Sequence, residues 1–368
     1  MATSLGLKKP MIAITGSAGK STTKEMLAAI LRRKWKVFKT PANHNLYSHT
    51  RNYAKQLKRG SYRAAVLEYG LSAKGHIRLH CQAIRPDISI VTNIGTAHLG
   101  SFGGDIKKLI RAKSEIIRYM SPSGMAVYNI DDANSRAMPK GNFRGTLVTV
   151  GIQSAKADYR AQNISYGKGG MNFSVKIDGT SQRFFIPIYG RHQVYNGLCA
   201  IAVASRLGFT PAEIRAGLRN YTRMQSRLTV RRVPSGALVI DDTYSANPNA
   251  AKAAIDVLSA IGGKNKVAVL GNMLSLGQYT KIGHRGVGSY IAKKRVTYLY
   301  TYGKYAYQIG SSAVAAGFNS NHWRHFTSRP ALHQSLRKHL QQGTTFLVKG
   351  SHATNMKQTV LYLVRSKK

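Results

Sequence analysis

Acidic side chains are scarce in this chain: 13 Asp and Glu stand against 56 Lys and Arg, a formal charge of +43 over 368 residues. Such a surface repels itself and draws polyanions, which predicts salt-dependent, non-specific adhesion to nucleic acid, anionic polymer or anionic membrane. The excess runs from Arg32-Arg33-Lys34 through Lys107-Lys108, Arg231-Arg232 and Lys293-Lys294-Arg295 to Lys367-Lys368, so it is not a basic tail. The 20 tyrosines come without an RNA-recognition consensus, a zinc finger or a compact helix-turn-helix, and the basic coat therefore reads as solvated faces. Cysteine is equally sparse. Cys81 and Cys199 lie far apart with no Cys-x-x-Cys or Cys/His cluster, which argues against a zinc site or disulfide framework and predicts two buried, reduced thiols. No apolar run approaches the ~20 residues that span a bilayer. Met11 to Thr15 is too short for a signal peptide and is soon followed by glycine. The expectation is a cytosolic protein with no membrane span.

What the chain does have begins near its N-terminus, where Ile12-Ala13-Ile14-Thr15 leads into Gly16-Ser17-Ala18-Gly19-Lys20-Ser21-Thr22-Thr23. An apolar strand, a glycine loop and a helix start in that order form a phosphate cradle. Glycines let backbone N–H groups close round phosphate oxygens, the helix aims its positive end at them, Lys20 supplies a point charge, and the Ser21 hydroxyl can ligate Mg²⁺. The strict expression wants glycine where Ile14 stands, so this is a Thr-Gly-Ser-x-Gly-Lys-Ser variant. Against the plain alternative of a glycine turn with a solvated lysine, the flanking strand and the Gly-Lys-Ser-Thr-Thr run favour ATP.

With 43% hydrophobic content the chain can bury a full core and should divide into two or three domains. Strands are expected near 11–15, 64–68, 88–94, 125–129, 146–150, 183–188, 237–241, 266–270, 297–301 and 345–348. Helices are expected near 20–34, 47–58, 74–83, 105–119, 192–207, 211–219, 249–260, 283–294 and 330–341. That alternation predicts an α/β protein with parallel sheets. Between about 157 and 190 the pattern turns to period two, which predicts a small antiparallel β insert. The strand at Ala237 restarts a βα series, placing a boundary near 223–228, with one domain over 1–225 and a second over 226–368. In so acid-poor a chain the pairs Asp131-Asp132 and Asp241-Asp242, each after an expected strand, are candidates for ligand binding at strand carboxyl ends. A helix N-cap or turn role remains open for Asp132 and, less so, for Asp242.

Seven segments in order carry a family resemblance. They are Thr15 to Thr22, Leu67-Glu68-Tyr69-Gly70, Thr92-Asn93-Ile94-Gly95-Thr96-Ala97-His98-Leu99, Ala112-Lys113-Ser114-Glu115-Ile116, Gly190-Arg191-His192-Gln193-Val194-Tyr195-Asn196, Ser226-Arg227-Leu228, and Asp241-Asp242-Thr243-Tyr244-Ser245-Ala246-Asn247-Pro248. Together they resemble the Mur ligases, in particular the branch that adds D-alanyl-D-alanine to the cell-wall precursor. The resemblance implies a P-loop parallel-sheet domain with a small antiparallel insert, then a Rossmann-like C-terminal domain. It also implies an ATP-dependent amide ligase that phosphorylates a carboxylate to an acyl phosphate and passes it to an amine, releasing ADP and phosphate.

By the same resemblance Gly16, Ser17, Ala18, Gly19, Lys20, Ser21 and Thr22 hold nucleotide, while Ser21, Glu68, His98 and Lys113 hold Mg²⁺. Lys113 matches a lysine that the family carbamylates, with a helix-surface lysine as the alternative. Asn196 matches an adenine-side asparagine, Arg227 a linker arginine that reaches the nucleotide on domain closure, and Asp242 a ribose or inter-domain carboxylate. Tyr244, Asn247 and Lys349, the last in Lys349-Gly350-Ser351, fall toward the amino substrate. His192 and Tyr195 read equally well as a packed helix start.

Departures bear on the substrate. The family's Gly-Asp-Met-x-Glu-Leu-Gly-Glu stands here as Gly271-Asn272-Met273-Leu274-Ser275-Leu276-Gly277-Gln278, without its three carboxylates, and His352 replaces an arginine. Loss of acids where an amine should bind puts D-alanyl-D-alanine in doubt. Family members carry a UDP-gripping domain ahead of the loop, whereas about ten residues precede the strand here, so a core without that grip is expected. The expected partners are a small amino acid or peptide and an acceptor carboxylate on an anionic polymer or partner protein. Two rival classes are a Mur-like scaffold that binds anionic polymer or nucleic acid and a nucleic-acid-dependent P-loop ATPase. Glu68, His98 and Lys113 argue against the second.

Overall fold

The computed structural model describes residues 8–366, and the basic pair Lys367-Lys368 lies outside them. The chain divides between Met224 and Gln225 into two compact units. Among the described residues no helix is long and apolar enough to cross a membrane.

The strands of the first unit are Met11–Thr15 (β1), Val37–Lys39 (β2), Ala64–Glu68 (β3), Ile88–Val91 (β4), Met125–Asn129 (β5), Thr146–Gly151 (β6), Tyr159–Gly167 (β7), Gly170–Ile177 (β8) and Thr180–Ile186 (β9). They form one sheet in the order β2-β3-β1-β4-β5-β6-β7-β8-β9. Pairing is parallel from β2 to β7, and β7, β8 and β9 are antiparallel hairpin strands, so the expected insert is present. Ile12, Ala13 and Ile14 are wholly buried, as an apolar run in a doubly covered parallel strand must be. The strand order reverses beside β1, and in open α/β sheets ligands bind outside the carboxyl ends at such a reversal.

Helices Lys20–Leu31 (α1), Tyr47–Arg59 (α2), His76–Ala83 (α3), Ile106–Arg118 (α4), Ala133–Arg136 (α5), Arg191–Arg206 (α6) and Pro211–Arg219 (α7) flank this sheet. On α1, Met26, Leu27, Ile30 and Leu31 are buried at helical spacing, and the helix packs against α6 and α7. The contact with α7 is backbone-close: a Cβ on Gly217 would lie 2.4 Å from Ile30 Cα. Cys81 and Cys199 are buried and free, and burial pushes both thiols up to about 12, so they are inert packing groups.

The second unit is a smaller doubly wound sheet of Thr229–Arg232 (β10), Leu238–Asp242 (β11), Asn265–Gly271 (β12), Tyr298–Tyr302 (β13), Trp323–Phe326 (β14) and Thr344–Lys349 (β15). Its order is β10-β11-β15-β12-β13-β14, parallel except for the edge strand β10. Its helices are Pro248–Ile261 (α8), Thr280–Ala292 (α9), Tyr307–Ala315 (α10), Arg329–Arg337 (α11) and Lys357–Arg365 (α12). Leu332 and Leu336 of α11 and Val360 and Leu363 of α12 cover one sheet face over Val239, Val267, Val269, Phe346 and Val348.

Candidate active site

The glycine loop between β1 and α1 is held from below by the segment after β4. Ser17 N donates to Asn93 O at 2.9 Å, Ala18 N to Asn93 Oδ1 at 3.1 Å, and Thr92 Oγ1 to Ala18 O at 2.6 Å. Gly16 has φ 151°, and a Cβ there would lie 1.9 Å from Thr92 Oγ1. Gly19 has φ 84°, and its Cβ would lie 2.2 Å from Asn196 Oδ1 on α6. Both positions require glycine, for backbone conformation and for space. Asn196, 4% exposed, therefore packs on the loop itself, and its amide donates to Gln193 Oε1 at 2.7 Å. Lys20 Nζ caps Gly16 O at 2.9 Å, and Thr22 is buried in the first turn of α1.

Ser21 and Glu68 are brought together at the end of β3, where the serine hydroxyl donates to Glu68 Oε2 at 2.8 Å. Three further contacts fix Glu68, two at the carboxylate and one at its backbone amide. Asn45 Nδ2 donates to Glu68 Oε1 at 2.8 Å, Glu68 N donates to Thr40 Oγ1 at 3.0 Å, and the buried Lys24 ammonium stands 3.9 Å from Oε2. Lys24 also donates to Thr40 O at 2.7 Å and to Ala42 O, and pairs with Glu25 at 3.3 Å. Burial lowers its pKa, while Glu68 and Glu25 pull it back up.

His98 and Lys113 line, with Lys20, a cavity of 330 Å³ whose other walls include Gly16, Asn45, Gly70, His76 and His80. His98 has φ 63°, a left-handed backbone uncommon outside glycine and a mark of local constraint. The residue is exposed, yet atoms packed round the ring, then the charges of Lys20 and Lys113, pull its pKa down to about 4. Lys113 is 1% exposed; burial, followed by the charge of Lys20, drives its pKa well below the usual lysine range. Of the expected metal set, Ser21 is hydrogen-bonded to Glu68, while His98 and Lys113 line the cavity that Asn45, the partner of Glu68, also lines. Among the described residues no group of three or more His, Cys, Asp and Glu gathers as a metal cage.

Sequence reasoning missed Lys24, Thr40 and Asn45. The one available signal was the polar run Thr40 to Asn45 directly after the apolar Val37-Phe38. The pair Asp131-Asp132 is engaged in structural contacts. Asp131 accepts from Ile152 N, Gln153 N, Ser154 N and Tyr195 Oη at 2.6 to 2.9 Å. Asp132 caps α5 and accepts from Ile94 N at 2.7 Å. Tyr195 is accordingly an anchor for the β6–β7 turn.

In the second unit Asp242 Oδ2 holds Lys349 Nζ at 2.6 Å, and the same ammonium reaches Ser245 O at 2.8 Å. Asp241 is fully buried and holds Lys357 at 2.6 Å and Thr243 Oγ1 at 2.6 Å. The Arg227 guanidinium lies 3.9 Å from the Tyr244 ring centroid. Asn247 is the N-cap of α8, accepting from Ala250 N at 3.0 Å. Asn272, where the family has aspartate, accepts from Tyr305 N at 3.0 Å and Ala306 N at 2.9 Å.

The residues fit a bound polyphosphate and its metal. Lys113 is buried, Lys20 lines the same cavity, and glycine backbone opens beside them. Such a concentration of positive charge at the carboxyl ends of a parallel sheet is suited to phosphate oxygens. Fold and site together define a P-loop α/β ligase core. Comparison with known proteins makes this specific. The Mur ligase middle domain model matches residues 14–204, and the Mur ligase glutamate ligase domain model matches 222–352. The UDP-N-acetylmuramoyl-tripeptide--D-alanyl-D-alanine ligase of Bacillus subtilis is 32% identical over 357 residues, covering 97% of this chain and 76% of the relative. That of Escherichia coli is 30% identical over 352 residues, covering 95% and 76%. Among solved structures, MurF from Acinetobacter baumannii superposes with TM-score 0.88 at 29% identity, covering 98% of this chain and 77% of that one. MurF from Thermotoga maritima in complex with ADP gives 0.84 at 25% identity, covering 98% and 80%. The chain belongs to the Mur ligase family. It is an ATP-dependent, amide-bond-forming ligase of the MurF-like kind.

Proposed function

We propose that this ligase activates a carboxylate as an acyl phosphate in the cavity lined by Lys20, His98 and Lys113. A carboxylate oxygen attacks the γ-phosphorus of ATP and ADP departs; an amine then attacks the acyl carbon, loses a proton and expels phosphate. Loop N–H groups and Lys20 hold the nucleotide phosphates, with Gly16, Ser17, Ala18, Gly19 and Thr22 shaping the cradle. Ser21, Glu68, His98 and Lys113 are the Mg²⁺ side of the site. Magnesium, when bound, neutralises phosphate charge and aligns the transferring group. Carbamylation of Lys113 would turn its buried amine into the anion that such a site needs, and burial, by lowering its pKa, favours the neutral form that reacts with carbon dioxide.

Asn196 takes the adenine side, Arg227 and Asp242 the nucleotide, and Tyr244, Asn247 and Lys349 the amine substrate. The acceptor is an acidic molecule, on a polymer or a partner protein, and non-specific polyanion binding follows from the +43 charge. Asn272, Ser275 and Gln278 support an amine other than the usual dipeptide, because the carboxylates that would face it are missing. One observation carries the reading: two lysines and a neutral histidine converge on one 330 Å³ cavity beside a glycine cradle. Phosphate release should appear when ATP, Mg²⁺, an acidic acceptor and an amine are combined, and should fall about 100-fold or more in Lys20→Ala. No Lys20-dependent release across a broad panel of acceptors and amines would favour a non-catalytic scaffold.

A further inference from the structure

A second concavity, of 1310 Å³, lies in the first unit and has no part in the chemistry above. It is bounded by α3, α4, the segment after β4 and the segment 139–143. Six cations line it: Lys74, Arg78, Arg85, Lys108, Arg111 and Arg118. All six are exposed, and among the described residues none of their side chains makes a hydrogen bond or ion pair. The lining holds one carboxylate, Glu115, and backbone already engages it, since Gly75 N donates to Oε1 at 3.2 Å and Arg78 N to Oε2 at 3.0 Å. The groove therefore keeps an uncompensated positive field in a chain that is basic throughout.

Geometry narrows the ligand. Lys108, Arg111, Glu115 and Arg118 repeat at helical spacing and form one stripe of α4, about 15 Å long at 1.5 Å per residue. Charges strung along a stripe suit an extended polyanion better than a compact ion. The volume also exceeds the ~300–1,000 Å³ of ordinary small-molecule pockets. Between the cations, Tyr119 and Phe143 are half-buried and line the groove, and the Arg118 guanidinium lies 5.7 Å from the Tyr119 ring centroid. A chain of carboxylates has no flat ring to lay against these side chains. Nucleobases would, on two rings and four guanidinium planes.

We infer that this groove binds single-stranded nucleic acid, phosphates on the α3 and α4 cations and bases against Tyr119 and Phe143. The site is independent of the ligase reaction, because none of these side chains is assigned to the nucleotide or its metals.

The test is fluorescence anisotropy with labelled oligo(dT) over a salt series, alongside labelled oligo-glutamate of equal charge. The variant Arg78→Ala/Arg111→Ala/Arg118→Ala should weaken oligo(dT) binding at least ~10-fold and reduce the log–log salt slope by about 2, near 0.7 per lost phosphate contact. A control that removes the same charge elsewhere, Lys264→Ala/Lys281→Ala/Lys338→Ala, should change either quantity far less. Tyr119→Ala/Phe143→Ala should weaken oligo(dT) by ~5-fold or more and leave oligo-glutamate unchanged. ATP turnover and the circular dichroism spectrum should match the parent in the arginine variant. The inference is overturned if both charge variants lose affinity equally, if oligo-glutamate binds as tightly as oligo(dT), or if the parent binds neither at 50 mM salt.

Discussion

An ammonium group 1% exposed, next to a second lysine and with no hydrogen-bonded carboxylate, is held in a state that water alone would not favour. Lys113 binds fewer protons folded than unfolded, so its presence costs stability wherever the unfolded lysine is charged and the folded one is not. That cost shrinks as pH climbs toward the ordinary lysine pKa. Lys113→Met, measured in carbon-dioxide-depleted buffer, is therefore expected to melt at a higher temperature than the parent at pH 7, with the difference narrowing by pH 10. The same variant should lose about 100-fold or more in ATP turnover if Lys113 has the role proposed for it at the phosphates. A Tm that is unchanged or lower at pH 7 would mean that Lys113 is not held against a desolvation cost. Stability traded for a charged cavity is what a functional lysine implies, and a helix-surface lysine would show neither effect.

At the scale of elements, the carboxylate of Glu68 is positioned by the loop that follows β2. Lys24 ties the carbonyls of Thr40 and Ala42 to α1, and Asn45 in the same loop holds Glu68 Oε1. Lys24→Met removes a fully buried cation from between Glu25 and Glu68 and should destabilise by ~3 kcal/mol in chemical denaturation, as breaking a buried pair does. It should also raise the Mg²⁺ concentration for half-maximal turnover, while a Lys24 that acts only in packing would leave that value alone. Gly16→Ala puts a methyl 1.9 Å from Thr92 Oγ1 at a φ of 151°, and should weaken ATP binding at least ~10-fold by calorimetry. The glycine loop was legible in sequence because cradle, lysine and hydroxyl are contiguous. Lys24, Thr40 and Asn45 were not, because they meet Glu68 only after the chain has crossed the sheet. Strands β2, β10 and β14 escaped notice since each is only three or four residues long and carries a cation. Helix α12 hid behind Thr359-Val360-Leu361-Tyr362-Leu363-Val364, a run of strand formers that tertiary packing holds in a helix.

For the molecule as a whole, the two sheets and the antiparallel insert were readable from periodicity, because the central parallel strands, such as β1, β3, β4 and β5, are apolar runs between helices. What periodicity could not supply is the consequence of having so few acids. Several of those present, Glu25, Glu68, Asp131, Asp132, Asp241 and Asp242, are committed to buried or capping contacts, so the surface is left nearly without counter-charge. Acidification should strike such a protein twice. The buried His80 and His339 have folded pKa values pulled down to about 4 by burial, with His76 adding to it for His80 and Lys338 for His339. Each is neutral in the fold and takes a proton on unfolding below its ordinary pKa near 6.5. Their stability contribution is full above about pH 6.5 and is lost as pH falls toward 4, by up to ~3 kcal/mol for the well-buried His80. Protonation of exposed histidines meanwhile adds to a repulsion that already stands at +43. Salt screens the second effect and leaves the first for His80 and His339, whose buried imidazoles lie beyond the reach of mobile ions, whereas His98 is exposed. Melting temperature at pH 7 should thus rise between 50 and 500 mM sodium chloride. The fall in stability from pH 6.5 to 4 should persist at the higher salt, with a His80→Gln variant losing less than its parent over that interval. If 500 mM salt abolished the acid sensitivity, repulsion alone would account for it and the buried histidines would have no part.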